Sequence, residues 1–150
     1  MKKTFTALYC AVFSAAFCMS SPLLADDNTS IEKLQAAANQ GDAEAQLKLG
    51  SAYETGDGVN QDDVQAMKWI KKSADQGNTE AQFHLGIAYR SGFGVPMDKT
   101  LAYMWFELAA KQGSNKAIET RKDLANSMTD DEIEKARDMA NDWKPLADSN

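Results

Sequence analysis

Residues 49–59 read LGSAYETGDGV, and 36 residues later residues 85–95 read LGIAYRSGFGV, with seven of the eleven positions identical. Repetition at a fixed distance constrains a fold more than any single motif, because every unit must present matching faces to its neighbours. Residues 45–80 and 81–116 share 15 identities over 36 positions. They include Leu49/Leu85, Gly50/Gly86, Tyr53/Tyr89, Gly56/Gly92, Gly58/Gly94 and Trp69/Trp105. A half-unit, residues 30–44, precedes them, since Ala38, Gln40 and Gly41 match Ala74, Gln76 and Gly77. Ala117 falls on the Ala45/Ala81 position and opens another unit.

Each unit reads as two helices. Ala45, Leu49, Ala52 and Tyr53 recur at the spacing of one helical face. Gly56 stops that helix, as glycine just past the last turn takes the left-handed conformation at little cost. Asp62 is positioned to cap the next helix, whose inner stripe is Ala66, Trp69, Ile70 and Ser73 and which ends at Gly77. The second unit repeats this with Leu85, Tyr89, Gly92, Asp98, Ala102, Trp105, Phe106 and Gly113. Gly50 and Gly86 lie in mid-helix, where glycine costs ~1 kcal/mol relative to alanine. Close approach of the paired helix is the expected reason. The repetition also decides how Gly92-Phe93-Gly94 is read. A dinucleotide loop needs a third glycine and a preceding strand, and neither is present, so this is an inter-helix turn with Val95 plugged into the core.

The pattern A-x-x-x-L-G-x-x-Y-x-x-G-x-G-V, followed by Asp, Ala, Trp, Ala and a closing Gln-Gly, resembles the Sel-one-like repeat (SLR), a relative of the tetratricopeptide repeat (TPR). The resemblance implies an all-α fold: a short right-handed α-solenoid of stacked helix-turn-helix repeats whose surfaces bind other proteins. It implies no catalysis in itself. The expected solenoid spans 30–143, with a half-unit 30–44, full repeats 45–80 and 81–116, and a terminal helix pair 117–143. In that last stretch Ala125, Met128 and Asn141 replace the tyrosine, glycine and tryptophan of the pattern. Thr129 and Glu132 form a capping box there. Ile133, Ala136, Met139, Ala140 and Trp143 give one stripe, read as a C-terminal capping helix with a polar outer face. Thr29 and Glu32 suggest a second capping box at the other end. Residues 26–29 and 144–150 are expected to be flexible.

The first 25 residues have the layout of a cleaved signal peptide: a basic start, an apolar stretch at 4–17, then SSPLLA. The apolar stretch is shorter than the ~20 residues of a spanning helix, so no membrane insertion is expected after cleavage. A periplasmic or secreted location follows. Both cysteines, Cys10 and Cys18, lie in this leader, so neither disulfide nor thiol chemistry is expected in the mature chain. Losing Lys2 and Lys3 leaves 14 basic against 22 acidic residues, a formal charge of −8. That balance argues against nucleic acid as a partner.

Chemistry-bearing motifs are sparse. His84 is the only histidine, too little for a His-based metal site. There is no Gly-x-Ser-x-Gly elbow and no calcium-loop spacing. No enzyme activity, metal or cofactor is expected. Met97, Met104, Met128 and Met139 read as packing residues. Several charges reverse between units (Glu54 against Arg90, Asp63 against Lys99, Lys71 against Glu107, Asp75 against Lys111, Glu80 against Lys116), which would avoid like-charge ladders and allow weak pairs between neighbouring repeats.

By resemblance to TPR proteins the first helix of each unit lines the concave face. The candidate protein-binding residues there are Glu44, Lys48, Ser51 and Glu54, then Glu80, His84, Ile87 and Arg90, then Thr120 and Asp123. Ile87 replaces Ser51, placing one apolar residue on a polar face. The function that follows is an exported, monomeric adaptor or regulator binding another protein. Two other readings stay open: an enzyme or binder of cell-wall (peptidoglycan or β-lactam) material, and a structural subunit assembling through the solenoid ends. Members of the family linked to β-lactam or peptidoglycan binding carry paired cysteines in their repeats, which this chain lacks.

Overall fold

The computed structural model describes residues 26–146. Residues 1–25, where a signal peptide is expected, and residues 147–150 lie outside the described residues. Among the described residues seven helices follow one another: α1 (Asp26–Asn39), α2 (Ala43–Thr55), α3 (Asp63–Asp75), α4 (Thr79–Ser91), α5 (Lys99–Lys111), α6 (Asn115–Ala125) and α7 (Asp130–Asp142). α2 packs on α3 and α4 on α5, while α1, α3 and α5 each pack on the first helix of the next unit. This is a solenoid.

Side-chain caps fix where α2 to α7 start. Asp62 accepts from Gln65 N at 2.9 Å and Asp98 from Leu101 N at 3.0 Å, as the repeat predicted. The first helices are capped too, but by residues that change from unit to unit. Asp42 and Asn78 each accept at 2.9 Å and Ser114 accepts at 3.3 Å, every one from the N–H three residues on. A cap of this kind contributes typically ~1 kcal/mol. Thr129 and Glu132 form the expected capping box on α7.

The turn within each repeat is closed by its own backbone. Gly92 takes φ 77° and sends its N–H to Ala88 O, and Asp98 N donates to Tyr89 O at 2.9 Å. Gly94 lies against α3, where an added Cβ would collide with Asp63 O and the Met67 side chain. The Gly92-Phe93-Gly94 stretch is thus a packed turn, with Val95 half-buried against the core.

Gly50 and Gly86 are contact points. A Cβ on Gly50 would meet Ile70 Cγ1 at 2.5 Å, and one on Gly86 would meet the Phe106 ring at 2.6 Å. Ala66, Ile70, Ser73, Ala102, Phe106 and Ala109 beneath them are fully buried. So are Leu49 and Leu85, the leucines that precede the two glycines. Ser73 donates its hydroxyl to Ala43 O at 2.6 Å.

A second repeated device uses glutamine. Gln46 donates to Ala38 O at 3.1 Å and accepts from Gln76 at 2.8 Å. Gln82 donates to Ala74 O at 3.3 Å and accepts from Gln112 at 2.8 Å. Gln46 and Gln82 are buried, so each amide ties the end of one unit to the next without leaving a polar atom unpaired.

Several expectations need correction. α1 begins at Asp26, so residues 26–29 form its first turn. Two acidic residues at a helix start suit the positive end of the helix dipole. Thr29 lies inside that helix by its backbone, three residues past the helix start. At the other end the tail is tied down as far as it is described. Leu146 N donates to Asp75 O at 2.8 Å, and Pro145 lies beside Gly77. The reversed charges do not pair between equivalent positions. Lys71 binds Asp75 within α3 at 2.6 Å, and Glu107 binds Arg121 of α6. Side chains one turn apart on a helix meet more readily than those on neighbouring units. Met97 is 64% exposed, because it stands in the α4–α5 loop where Gln61 stands in the first unit. α7 packs on α5. Its Ala136 and Ala140 are buried, and Ile133, Met139 and Trp143 pack against the core.

Candidate protein-interaction surface

The candidate residues fall on α2, α4 and α6, one turn apart along each helix. Glu44 and Lys48 are exposed and pair at 3.3 Å. Glu80 and His84 approach to 4.0 Å. Ser51, Glu54, His84, Ile87 and Thr120 are half-buried, and Arg90 and Asp123 are exposed.

The repeat-defining residues of the same helices do not reach this surface. Leu49 and Leu85 have 0% exposure, and Gly50 and Gly86 face the helix beneath them. Leu85 is therefore no site residue, although it lies between His84 and Ile87. It belongs to the core, while His84 and Ile87 are only half-buried. A helix advances about 100° per residue, so positions 84 and 87 share a face that 85 leaves.

The candidate residues border three clefts. A groove of about 510 Å³ takes in Glu44, Lys48, Ser51 and Glu80. A middle cleft of about 240 Å³ gathers Glu54, His84 and Ile87 with Met67, Ala88, Ser91 and Phe93. A third, about 370 Å³, joins Glu80 and His84 to Phe83, Gln112 and Lys116, among others. Arg90, Thr120 and Asp123 line none of the three.

Ile87 is not the isolated exposed residue expected from sequence. It is half-buried against the core and shares the middle cleft with Met67 and Phe93. Phe83 is also half-buried. Its ring lies 6.3 Å from His84 in an edge-on arrangement and 5.7 Å from Phe106. Phe83 and Phe93 were missed, although the signal was present: they replace Leu47 and Asp57 of the first unit.

Ser91 lines the same cleft as His84, but its hydroxyl donates to Ile87 O at 2.9 Å. Among the described residues no group of three or more His, Cys, Asp or Glu is arranged to hold a metal. No helix among them is long and apolar enough to cross a membrane.

The Sel1 repeat model matches residues 43–78 and 79–114. Each copy therefore opens with the first residue of α2 or α4. The chain belongs to the Sel1-repeat family. Among solved structures, a Sel1 repeat protein from Oxalobacter formigenes is 40% identical with a TM-score of 0.64, over 65% of this chain and 74% of that one. A protective antigen present in uropathogenic Escherichia coli strains, displaying an SLR fold, is 32% identical with a TM-score of 0.74, over 77% of this chain. The chain spans a quarter of that antigen's length (25%). Among curated proteins no sequence match is found. Sel1 repeats generally mediate protein–protein interaction, and their solenoids are typically non-catalytic scaffolds.

Proposed function

We propose that this protein is an exported adaptor or regulator that holds another protein on the concave face, centred on the middle cleft. One observation carries the reading. Ile87, Met67 and Phe93 form an apolar floor beside Glu54 and His84. A small apolar spot with a polar rim suits a docked side chain of a partner. The equivalent place in the first unit carries Ser51 and Asp57, so the apolar character is not required by the fold. Export rests on the leader at 1–25. The mature chain is taken as a monomer in the periplasm or outside the cell.

The test transplants the first unit's residues into the second. Ile87→Ser and Phe93→Asp restore residues the same fold already accommodates, so the double variant should remain helical. Tagged wild type and variant are cross-linked in the cell envelope, captured and compared. The expected result is a partner held by the wild type and lost from the folded variant, with the captured chain lacking residues 1–25 by mass. A partner retained equally by both would remove the middle cleft as the site.

A further inference from the structure

In the two full repeats the inner face of the second helix is completely covered. Ala66, Ile70 and Ser73 of α3 lie beneath α2, and Ala102, Phe106 and Ala109 of α5 lie beneath α4, all at 0% exposure. Thirty-six residues before the first set, α1 carries Ser30, Leu34 and Ala37. Here Ser30 is exposed, and Leu34 and Ala37 are only half-buried. No helix among the described residues lies on α1 as α2 lies on α3.

The 510 Å³ groove is the consequence. In the middle cleft three helices meet, since α2 supplies Glu54, α3 supplies Met67 and α4 supplies Ile87. The groove has the counterparts of the last two, Ile31 of α1 and Ser51 of α2, and among the described residues none stands in the place of Glu54. Its space is about 510 Å³ against about 240 Å³. Its α1 wall carries Ser30, Ile31 and Leu34, the counterparts of Ala66, Met67 and Ile70 on α3, the helix that α2 packs on. Ser30 is small, like Ala66, and leaves room for a close helix crossing.

The rim is net acidic. Glu44, Asp57 and Glu80 border the groove against Lys48 alone, and Lys48 is already paired with Glu44. We infer that this groove docks an amphipathic helix of a partner protein, with apolar residues at i, i+4 and i+7, a small residue at the crossing, and lysine or arginine on its flanks. The site is separate from the middle cleft.

A fluorescent synthetic peptide tests this. It carries the α2 pattern of Ala45, Leu49, Gly50, Ala52 and Tyr53 in order, with lysine at the exposed positions, and a twin carries glutamate there. Anisotropy should show saturable binding of the lysine peptide, at least tenfold tighter than the glutamate twin and weakening with salt. Leu34→Lys should lower that affinity at least tenfold. Asp57→Lys, on the exposed rim where folding is not at risk, should narrow the difference between the two peptides. Ile87→Ser, in the middle cleft, should leave binding unchanged, so that failure here and failure of the adaptor reading are distinguishable. Absence of saturable binding, or equal binding of the two peptides, overturns the proposal. Self-association by sedimentation that disappears in Leu34→Lys would assign the groove to a second copy of this chain and overturn it equally.

Discussion

Gly86→Ala sets two well-defined effects against each other. On an isolated helix the change would stabilise by ~1 kcal/mol, because alanine restricts the unfolded chain and favours the helix. In this protein the new Cβ would lie 2.6 Å from two ring atoms of Phe106, where carbon atoms normally keep about 3.5–4.0 Å. Phe106 is fully buried, with Phe83 against one side of its ring, so it has little room to retreat. Overpacking of this kind costs about 1–3 kcal/mol, and more where backbone must shift. Set against the ~1 kcal/mol gain, this leaves an expected net loss of up to about 2 kcal/mol. In urea, followed by far-UV circular dichroism, the midpoint should fall by up to about 1 M. The same substitution in a Phe106→Val background should be neutral or stabilising, because the opposing ring atoms are gone. A Gly86→Ala variant more stable than wild type would refute the reasoning, since helix propensity alone would then decide the outcome.

Two further substitutions probe the parts of the fold that the helical pattern does not describe. Gln82→Glu replaces the amide N–H facing Ala74 O with a carboxylate oxygen in a fully buried position. It should destabilise by at least ~2 kcal/mol at neutral pH. Burial raises this carboxyl's folded pKa above its unfolded value of about 4.3, so the variant should be closest to wild type near pH 4 and lose stability as pH rises; equal urea midpoint shifts at pH 4 and pH 7 would contradict it. Trp143→Ala removes the half-buried ring that meets Trp105 edge-on at 6.2 Å. Buried aromatic deletions cost about 3–5 kcal/mol, so about half of that is expected for a half-buried ring, read from the thermal midpoint together with a change in Trp105 fluorescence.

How much of this was legible in the sequence depends on whether a residue's role is local to the repeat. Gly56, Asp62, Tyr53, Leu85 and the Ala66–Ile70–Ser73 stripe act within one unit, so 36-residue recurrence was enough to assign them. Gly50 and Gly86 were legible through an anomaly: a helix-weakening residue kept twice must be answered by a neighbour. The glutamines recur just as regularly, but their partners come from adjoining turns and units. An identity at Gln46/Gln82 does not say whether the amide points to water or to Ala38 O and Ala74 O. The caps Asp42, Asn78 and Ser114 went unrecognised because several residue types perform the same hydrogen bond, so function persisted where identity did not. Charge reversal misled for the opposite reason. Lys71 and Glu107 occupy equivalent positions, but Asp75 one turn away offers Lys71 a nearer carboxylate.

The ends of the solenoid are harder to read, because a repeat describes what each unit shares and the ends differ by what they lack. At the C-terminal end the missing pattern is replaced by a positive signal, the Thr129 box and the stripe to Trp143, which the structure uses to cover α5. At the N-terminal end of the described residues there is no replacement. Ser30, Leu34 and Ala37 match the covered stripe of α3 position for position, so sequence alone would bury them. Only the coordinates show that no other described helix covers that face and that three carboxylates stand around it. The same pattern is fully buried under α2 and only partly covered on α1, so the asymmetry between the two ends is a property of the assembled stack. It directs the search for a partner to α1 as well as to the concave residues Glu54, His84 and Ile87.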